Sequence, residues 1–258
     1  MKGASQTFLS IEGVCKAFGG VQALYEVSFS VAREHIHALI GPNGAGKTTL
    51  FNVISGAFAP DKGSVSLNGA SIQGRPMHEL VRRGIARTFQ NVELFASMTV
   101  LENVLVGCHT RTRCGLLGAM ARWPWVGREE RWARQKAMDL LEFVGLVEVA
   151  HRRAVDLPFG WQRLVEIARA LASDPKLLLL DEPAAGLNAV ETERLSRLVQ
   201  EIRARGITVL LVEHDMNLTM DISDRIVVLD RGRKLAEGTP REIQASEAVM
   251  EAYLGKKH

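Results

Sequence analysis

A glycine-rich run that follows a short, mostly apolar segment constrains this chain more than any other feature. The run fits the pattern GxxxxGK[ST], and its residues are Gly41, Pro42, Asn43, Gly44, Ala45, Gly46, Lys47, Thr48 and Thr49. Residues 36–40 have the composition of a buried strand, and residues 50–55 suit a helix. Between a strand and a helix, such a loop turns its backbone N–H groups toward an anion, and the helix dipole adds to the attraction. The sequence therefore predicts a phosphate-binding loop in an α/β fold.

Two side chains of this loop suit a nucleoside triphosphate with its metal. Lys47 would place a positive charge on the β- and γ-phosphates, and the Thr48 hydroxyl would be a ligand of Mg²⁺. The alternative is a glycine-rich turn that only ends a strand, and the flanking segments argue against it. We therefore predict ATP and Mg²⁺ as the cofactors, bound by the whole loop.

Two acidic residues follow a run of leucines at residues 177–180. Asp181 would stand at the carboxyl end of a parallel strand, where doubly wound sheets hold ligands, and would reach Mg²⁺ through water. Because adjacent residues of an extended strand point to opposite sides, Glu182 cannot share this role and is free to act as the general base. Two acids that merely cap a strand are the alternative, which the phosphate loop upstream makes weaker.

His214 follows another aliphatic segment, residues 209–212. A single histidine at a strand end is more often a polar terminus than a catalytic group. This one would lie at the ligand edge of the same sheet, where an imidazole can hydrogen-bond the γ-phosphate and respond to its loss. We therefore predict a catalytic role for His214.

The remaining segments predict two kinds of sheet. The N-terminal strands alternate apolar and polar residues, as in a half-solvated antiparallel sheet, and lie at residues 9–14, 27–31 and 65–67. The later ones are continuous aliphatic runs suited to a sheet covered on both faces, at residues 177–180, 209–212 and 226–229. Amphipathic helices are predicted over residues 131–144 and 191–205, and no strand is predicted between residues 99 and 156. The sequence therefore predicts an α/β core with a mostly helical insert.

Composition excludes several classes of protein. With 258 residues and 47% hydrophobic content, the chain can bury a large core without disulfide bonds. The 3 cysteines show no CxxC spacing, so neither a zinc site nor a disulfide framework is predicted. The net charge of +3 is too small to predict a nucleic-acid partner. No apolar segment is long enough for a signal peptide or a membrane span, so we expect a cytoplasmic protein that reaches a membrane only through a partner or a surface patch.

The chain resembles the ATP-binding cassette (ABC) family over nearly its whole length. The motifs that carry the resemblance occur in the order and approximate spacing of that family, and they are the phosphate loop, Gln90, the pair Asp181 and Glu182, and His214. The resemblance implies an α/β P-loop NTPase (RecA-like) core with an N-terminal antiparallel β subdomain and a helical subdomain insert. It also implies that Gln90 is the Q-loop glutamine, a metal ligand that takes part in catalysis. Phe18 falls where the family carries an aromatic residue that stacks on adenine, and a core phenylalanine is the alternative.

The signature sequence of the family, LSGGQ, has a degenerate counterpart in this chain. Its residues after Leu157 are Pro158, Phe159, Gly160, Trp161 and Gln162. The resemblance implies that this segment of one subunit covers the ATP bound to another. Pro158 replaces a serine and lacks both a hydroxyl and a backbone N–H, so we expect a functioning signature with at least one donor fewer. Asn188 stands where the D-loop of the family usually carries an aspartate.

The resemblance also implies a division of the chain. We expect a single ABC ATPase domain over residues 8–258. Within it, the core with its antiparallel β subdomain would comprise residues 8–95 and 157–240. The helical subdomain would comprise residues 96–156, and a C-terminal helical tail residues 241–258.

Several segments look like the ATPase subunits of branched-chain or hydrophobic amino-acid uptake systems, namely residues 93–104, 184–188, 236–240 and 252–255. This likeness implies transmembrane permease subunits as partners and, indirectly, a periplasmic binding protein. A second ATPase subunit, either the same chain or a sister, would complete the assembly. No nucleic-acid partner is expected. The implied location is peripheral, on the cytoplasmic face of the inner (plasma) membrane.

Apolar residues in the insert indicate how a permease would dock. The insert offers more apolar surface than a small helical lobe needs, and the residues concerned are Leu94, Phe95, residues 115–120, Trp123 and Trp125. They therefore predict a groove for a coupling helix of the permease. Alternatively, these side chains fill the core of the lobe itself.

Three other functions stay open from the sequence alone. A soluble ABC-type ATPase that acts on DNA or ribosomes usually has tandem cassettes or coiled-coil inserts, and this chain has one cassette and no sustained heptads. A kinase with the same loop leaves His214 and the signature segment unexplained. A regulatory ATP-binding module that hydrolyses little is compatible with the altered signature.

Overall fold

The computed structural model of the protein describes residues 7–109 and 124–254. The chain forms two compact units. The first combines the residues up to Arg87 with those from Lys176 onward, and the second is Thr88–Pro175. The predicted subdomain boundaries, with a helical part at residues 96–156, stay predictions. Within the apolar surface predicted to face a permease, residues 115–120, Trp123 and the side chain of Trp125 lie outside the described part.

The first unit contains two β-sheets. Its strands in chain order are β1 (Thr7–Phe18), β2 (Val21–Ala32), β3 (Ile36–Ile40), β4 (Lys62–Leu67), β5 (Ala70–Ser71), β6 (Ile85–Arg87), β7 (Leu177–Asp181), β8 (Thr208–Val212), β9 (Arg225–Asp230) and β10 (Arg233–Gly238). The antiparallel sheet has the order β2-β1-β4-β5. The larger sheet has the order β10-β9-β3-β8-β7-β6, and only its edge strand β10 is antiparallel to its neighbour. The prediction of two kinds of sheet is confirmed.

The burial of each sheet follows from its sequence. Every residue of β3, β7 and β8 is buried, as expected for aliphatic strands of a parallel sheet that is covered on both faces. In β2, buried and exposed residues alternate from Val27 to Val31, as expected for a sheet with one solvated face. The order β3-β8-β7 places the carboxyl ends of these strands side by side. The residues that follow them therefore share one edge of the sheet.

The sequence pattern does not predict two strands of the larger sheet. β6 has only 3 residues and pairs with β7. β10 is largely exposed and pairs with β9 at the sheet edge. Neither segment has the apolar periodicity by which a strand is recognised in a sequence. Each is a strand because it forms hydrogen bonds with a neighbouring strand that is distant in the sequence or at the sheet edge. β6 matters for the site because it ends at Arg87.

The helices complete both units. In chain order they are α1 (Lys47–Ile54), α2 (Met77–Arg82), α3 (Val100–Cys108), α4 (Pro124–Phe143), α5 (Phe159–Leu171), α6 (Ala189–Ala204), α7 (Met216–Ile222), α8 (Pro240–Gln244) and α9 (Glu247–Leu254). α1 begins in the phosphate loop, and its Leu50, Phe51 and Ile54 belong to the hydrophobic core that contains Leu39 of β3 and Leu179 of β7. None of the helices in the described part of the chain combines the length and apolarity that crossing a bilayer requires.

The described residues of the second unit form α3, α4 and α5 and contain no strand, in agreement with the predicted helical insert. A capping box starts α3, since the Thr99 side chain accepts the Glu102 N–H and the Glu102 carboxylate accepts the Thr99 N–H. α4 buries one stripe of small and aliphatic residues, Ala133, Ala137 and Leu141. Phe95 is 47% exposed, so this residue of the predicted apolar surface is accessible to a partner.

His37 is buried in β3, and its burial predicts pH-dependent stability. Burial, with the charge of His35 as the second cause, lowers the pKa of His37 from 6.5 to about 4. Between these values the unfolded chain binds a proton that the folded chain excludes. The free energy of unfolding should therefore fall by roughly 3 kcal/mol through this residue as the pH drops from about 7 to about 4.

Urea denaturation at both pH values measures this loss. The His37→Leu variant should lack the contribution of His37, whereas a variant at an exposed histidine, His78→Ala, should retain it. Equal losses of unfolding free energy in wild type and both variants would contradict the prediction.

Candidate functional site

Three glycines of the phosphate loop have backbone angles that other residues rarely adopt. The φ angle is 153° at Gly41, 79° at Gly44 and 98° at Gly46. A Cβ atom at Gly41 would lie 2.1 Å from the carbonyl oxygen of Leu229, and one at Gly46 would lie 2.6 Å from that of Ala23. The loop therefore requires glycine at Gly41 and Gly46 both for its conformation and for the close approach of β9 and β2.

The loop leads into α1 without a side-chain cap. Gly46 is the N-cap residue, and as a glycine it has no side chain that could accept a hydrogen bond from the first turn of the helix. Within the loop, the Ala45 N–H donates to the carbonyl oxygen of Pro42 at 3.1 Å. An anion at the start of α1 would accept hydrogen bonds from uncapped N–H groups and be attracted by the helix dipole.

The side chain of Lys47 folds back onto its own loop. Its Nζ donates to the carbonyl oxygens of Gly41, at 2.7 Å, and Pro42, at 3.1 Å. Burial lowers the pKa of Lys47, and the charges of Glu182 and Asp181 oppose this shift. The ammonium group is thus partly desolvated near two carboxylates, and phosphate oxygens would offer it stronger, charged acceptors than the carbonyls.

Asp181 ends β7 and is buried with a cation that sequence reasoning did not identify. Its Oδ2 accepts a hydrogen bond from Arg87 Nη2 at 2.8 Å. The Nη1 atom of the same guanidinium donates to Asn52 Oδ1 and to Ser55 Oγ, both at 2.7 Å. Asn52 lies on α1 and Ser55 is its C-cap. Arg87 therefore joins the predicted metal ligand to the helix of the phosphate loop and fixes the orientation of the Asp181 carboxylate.

Glu182 follows β7 directly and does not continue the strand. Its φ angle is 47°, in the left-handed region, and its N–H donates to the carbonyl oxygen of Val212 at 2.9 Å. A turn, and not the pleat alternation that the sequence predicts, therefore sets the orientation of its side chain. Glu182 Oε1 lies 2.6 Å from His214 Nε2, so the structure brings the predicted general base into contact with the predicted catalytic histidine. The contact of His214 with a γ-phosphate stays a prediction.

Glu213 is a second residue that sequence reasoning did not assign to the site. It is buried, and burial raises the pKa of its carboxyl group. Its Oε1 accepts the Ala184 N–H at 2.7 Å, and its Oε2 accepts the His214 N–H at 3.0 Å. Glu213 therefore connects the segment after Glu182 to the segment that carries His214 and anchors both sides of that pair.

Phe18 ends β1 and is 42% exposed. Its ring makes an edge-to-face contact with Phe58, with the ring centres 5.2 Å apart, and Lys16 Nζ lies 5.5 Å from its centre. An exposed ring that is supported from the side suits stacking on a nucleobase. The contact with adenine stays a prediction.

The signature segment lies in the second unit, at the start of α5. Pro158 occupies the N-cap position and makes no side-chain cap hydrogen bond, so it does not replace the hydroxyl of the usual serine. Gln162 Nε2 donates to the carbonyl oxygens of Leu157, at 2.8 Å, and Val155, at 3.2 Å. The first turn of the helix begins with Phe159, Gly160 and Trp161. The contact of this segment with a nucleotide on a second subunit stays a prediction.

Two further predicted residues have defined backbone or side-chain contacts. In the second unit, the carbonyl oxygen of Gln90 accepts a hydrogen bond from Arg163 Nη2 at 2.8 Å, while its roles toward metal and catalysis stay predictions. Asn188 caps α6, since its side chain accepts the N–H groups of Val190 and Glu191, both at 3.0 Å. An aspartate would make the same hydrogen bonds, so asparagine preserves the cap.

The chain matches two protein-family models. Residues 24–185 match the model described as ABC transporter, a range that includes the phosphate loop, Gln90, the signature segment and the pair Asp181 and Glu182. The chain belongs to the ABC transporter family. A second model, described as branched-chain amino acid ATP-binding cassette transporter, matches residues 233–258 of the cassette.

The cassette is similar to known relatives over nearly its full length. It is 46% identical over 253 residues to the high-affinity branched-chain amino acid transport ATP-binding protein BraF of Pseudomonas aeruginosa, with 98% of this chain and 99% of BraF covered. A crystal structure of a nucleotide-free ATP-binding cassette from an ABC transporter is 35% identical, with a TM-score of 0.85 and coverage of 97% and 100%. A dimeric, post-hydrolysis cassette bound to ADP and Pi is 27% identical, with a TM-score of 0.76 and coverage of 90% and 99%. The predicted family and fold class are confirmed.

Proposed function

We propose that this cassette binds and hydrolyses ATP to power an importer for branched-chain or other hydrophobic amino acids. The observation that carries the proposal is the alignment at one sheet edge of the phosphate loop, Asp181, and the pair Glu182 and His214. The similarity to BraF, a branched-chain amino acid transport protein, supports the class of substrate.

The residues of the site fit a nucleoside triphosphate with Mg²⁺. The phosphate loop is kept open by glycines and contains the ammonium group of Lys47. The Thr48 hydroxyl and the Asp181 carboxylate are the kind of oxygen ligand that Mg²⁺ prefers, and Gln90 would add an amide oxygen. When bound, the metal would neutralise the charge on the β- and γ-phosphates.

In the hydrolysis step, Glu182 would accept a proton from the attacking water. His214 would hold the Glu182 carboxylate through their 2.6 Å contact, and Arg87 would hold the Asp181 carboxylate through their 2.8 Å hydrogen bond. Glu213 anchors the backbone of His214. Together these contacts keep the base and the metal ligand in place relative to the phosphate loop, which is the orientation that an efficient displacement requires.

The proposed active form is a dimer in which residues 158–162 of one subunit cover the ATP bound to the other. The dimeric cassette with ADP and Pi supports this arrangement. The start of α5 would present its helix dipole to the γ-phosphate, with one N–H donor fewer because of Pro158. The second subunit is either the same chain or a sister ATPase. Association therefore depends on ATP, and hydrolysis allows the subunits to part.

The proposed importer also contains transmembrane permease subunits. A periplasmic binding protein would be an indirect partner of the cassette. The cassette would then act as a peripheral protein on the cytoplasmic face of the inner (plasma) membrane. The exposed side chain of Phe95 supports a permease contact on the second unit, because a large apolar group at the surface favours burial against a partner.

Uptake into membrane vesicles tests this proposal. The cassette is co-expressed with the permease subunits that co-purify with it, and labelled leucine is supplied with the periplasmic binding protein. ATP-dependent uptake is expected with the wild-type cassette and not with the Glu182→Gln variant. Hydrolysis of ATP without uptake of any branched-chain or other hydrophobic amino acid would contradict the proposed transport function.

A further inference from the structure

Two charged residues of α5 are almost completely buried and have no role in the proposed hydrolysis step. Arg163 and Glu166 lie on the same face of the helix, and each is 1% exposed. Arg163 Nη1 donates to Glu166 Oε2 at 2.8 Å, and burial raises the pKa of the Glu166 carboxyl group. Burying such a pair costs free energy that the mutual attraction often fails to offset. Stability alone is therefore a weak explanation for its presence.

Both side chains bind the backbone of the segment that carries Gln90. Arg163 Nη1 also donates to the carbonyl oxygen of Phe89 at 2.7 Å, and its Nη2 donates to that of Gln90 at 2.8 Å. Glu166 Oε1 accepts the Phe89 N–H at 3.0 Å. Arg163 therefore donates to the backbone carbonyl groups of two adjacent residues, and Glu166 accepts the backbone N–H of the first of them.

Arg163 contacts the signature segment as well. The central carbon of its guanidinium lies 5.7 Å from the centre of the Phe159 ring, within the range of a cation–π contact. Phe159 is 45% exposed at the start of α5. One guanidinium thus touches an exposed signature residue and the carbonyl groups of Phe89 and Gln90.

We propose that Arg163 and Glu166 are positioning residues that hold Gln90 and the signature segment, residues 158–162, in one fixed arrangement. The proposal rests on the proposed function, in which that segment contacts a phosphate on the other subunit. Any movement of the signature segment on nucleotide binding is then passed to the backbone of Gln90. The planar guanidinium suits this task because its donors reach two carbonyl groups in a fixed geometry, which a lysine cannot reproduce.

A double substitution separates positioning from folding. Removing only one partner would leave a buried charge unpaired and destabilise the fold, whereas Arg163→Met with Glu166→Leu replaces both by apolar residues and is expected to fold. The matched control is Lys136→Met with Asp174→Asn, which removes another ion pair of the second unit. Asp174 has a φ angle of 52°, a conformation that asparagine tolerates.

Hydrogen exchange and steady-state kinetics give the two readouts. In the double variant, exchange of the Phe89 amide should accelerate by about 100-fold because its acceptor is lost. The kcat for ATP hydrolysis should fall by about 10-fold, while KM for Mg-ATP should stay within about twofold because the substitutions leave the phosphate loop and Lys47 unchanged. The control should change neither quantity. The single variant Arg163→Lys keeps the positive charge but loses the planar guanidinium that donates to two carbonyl groups. Its kcat should lie between those of wild type and the double variant.

Faster exchange at Phe89 with an unchanged kcat would overturn the proposal, because the pair would then be structural only. Unchanged exchange in the double variant would overturn it as well. If the double variant fails to fold, a wild-type kcat in Arg163→Lys would refute the positioning role in its place. A wild-type chain without ATPase activity would reject the proposed function itself, whereas an active wild type with an equally active double variant rejects only the positioning role.

Discussion

Replacing Glu182 by glutamine is expected to lower the rate of ATP hydrolysis by about 100-fold or more while leaving the affinity for Mg-ATP within about threefold of wild type. Glutamine has the same shape as glutamate but cannot accept the proton of the attacking water. The phosphate loop, Lys47 and Asp181 are untouched by the change. Phosphate release measures the rate, and equilibrium binding of a labelled nucleotide measures the affinity.

The same variant should accumulate as an ATP-bound dimer. If ATP lies between two subunits and its hydrolysis lets them part, a subunit that binds without hydrolysing remains associated. Size-exclusion chromatography with Mg-ATP, using the sister subunit if the chain does not pair with itself, detects this species. Glu193→Gln, at an exposed acid on α6, is the control and should behave as wild type. Rapid turnover by the Glu182→Gln variant would remove the assignment of Glu182 as the base.

Replacing Lys47 by alanine is expected to weaken the binding of Mg-ATP by about 100-fold or more. In the structure Lys47 is buried and its ammonium group donates to carbonyl oxygens of its own loop, so the charge is already held at the phosphate loop. Alanine removes a charge-assisted donor without disturbing the glycines that shape the loop. Equilibrium dialysis with labelled ATP measures the change.

Lys62→Ala provides the control, because Lys62 is exposed at the start of β4 and belongs to a different sheet. Its affinity for Mg-ATP should equal that of wild type. If Lys47→Ala retained the wild-type affinity, the nucleotide would have to bind elsewhere, and the roles given to Thr48 and Asp181 would fall as well.

Local sequence patterns were sufficient to predict a strand where the residues next to it in the chain determine its structure. Residues 36–40 were predicted as a strand and form β3 with the same bounds, because a short buried run before a glycine-rich loop has few alternatives. The aliphatic strands β7, β8 and β9 were also located to within one residue at each end. Their continuous apolar character indicates burial on both faces.

Contacts between distant parts of the chain could not be predicted in this way. Arg87 reaches Asp181 across 94 positions of sequence, and it does so from β6, which has only 3 residues and no strand signal of its own. Glu213 reaches Ala184 across 29 positions. A buried charge is recognised as functional only when its partner is known, and the sequence alone does not name the partner.

The pair Glu182 and His214 shows a different limit of sequence reasoning. Both residues were assigned to the site, but the pleat of a strand was the wrong reason for the orientation of Glu182, since its left-handed backbone ends β7. A non-glycine residue in this conformation costs of order 1 kcal/mol or more and persists because the surrounding contacts over-determine it. Here those contacts include the hydrogen bond to Val212 and the imidazole of His214.

Calorimetric titration of Mg-ATP into the unmodified chain is the decisive experiment, because every role proposed for the site depends on nucleotide binding at the phosphate loop. We expect saturable uptake of one nucleotide per chain, and Mg-AMP, which lacks the β- and γ-phosphates that Lys47 would contact, should bind at least about 100-fold more weakly. The absence of saturable Mg-ATP binding, or equal binding of Mg-AMP, would contradict a triphosphate site at this loop.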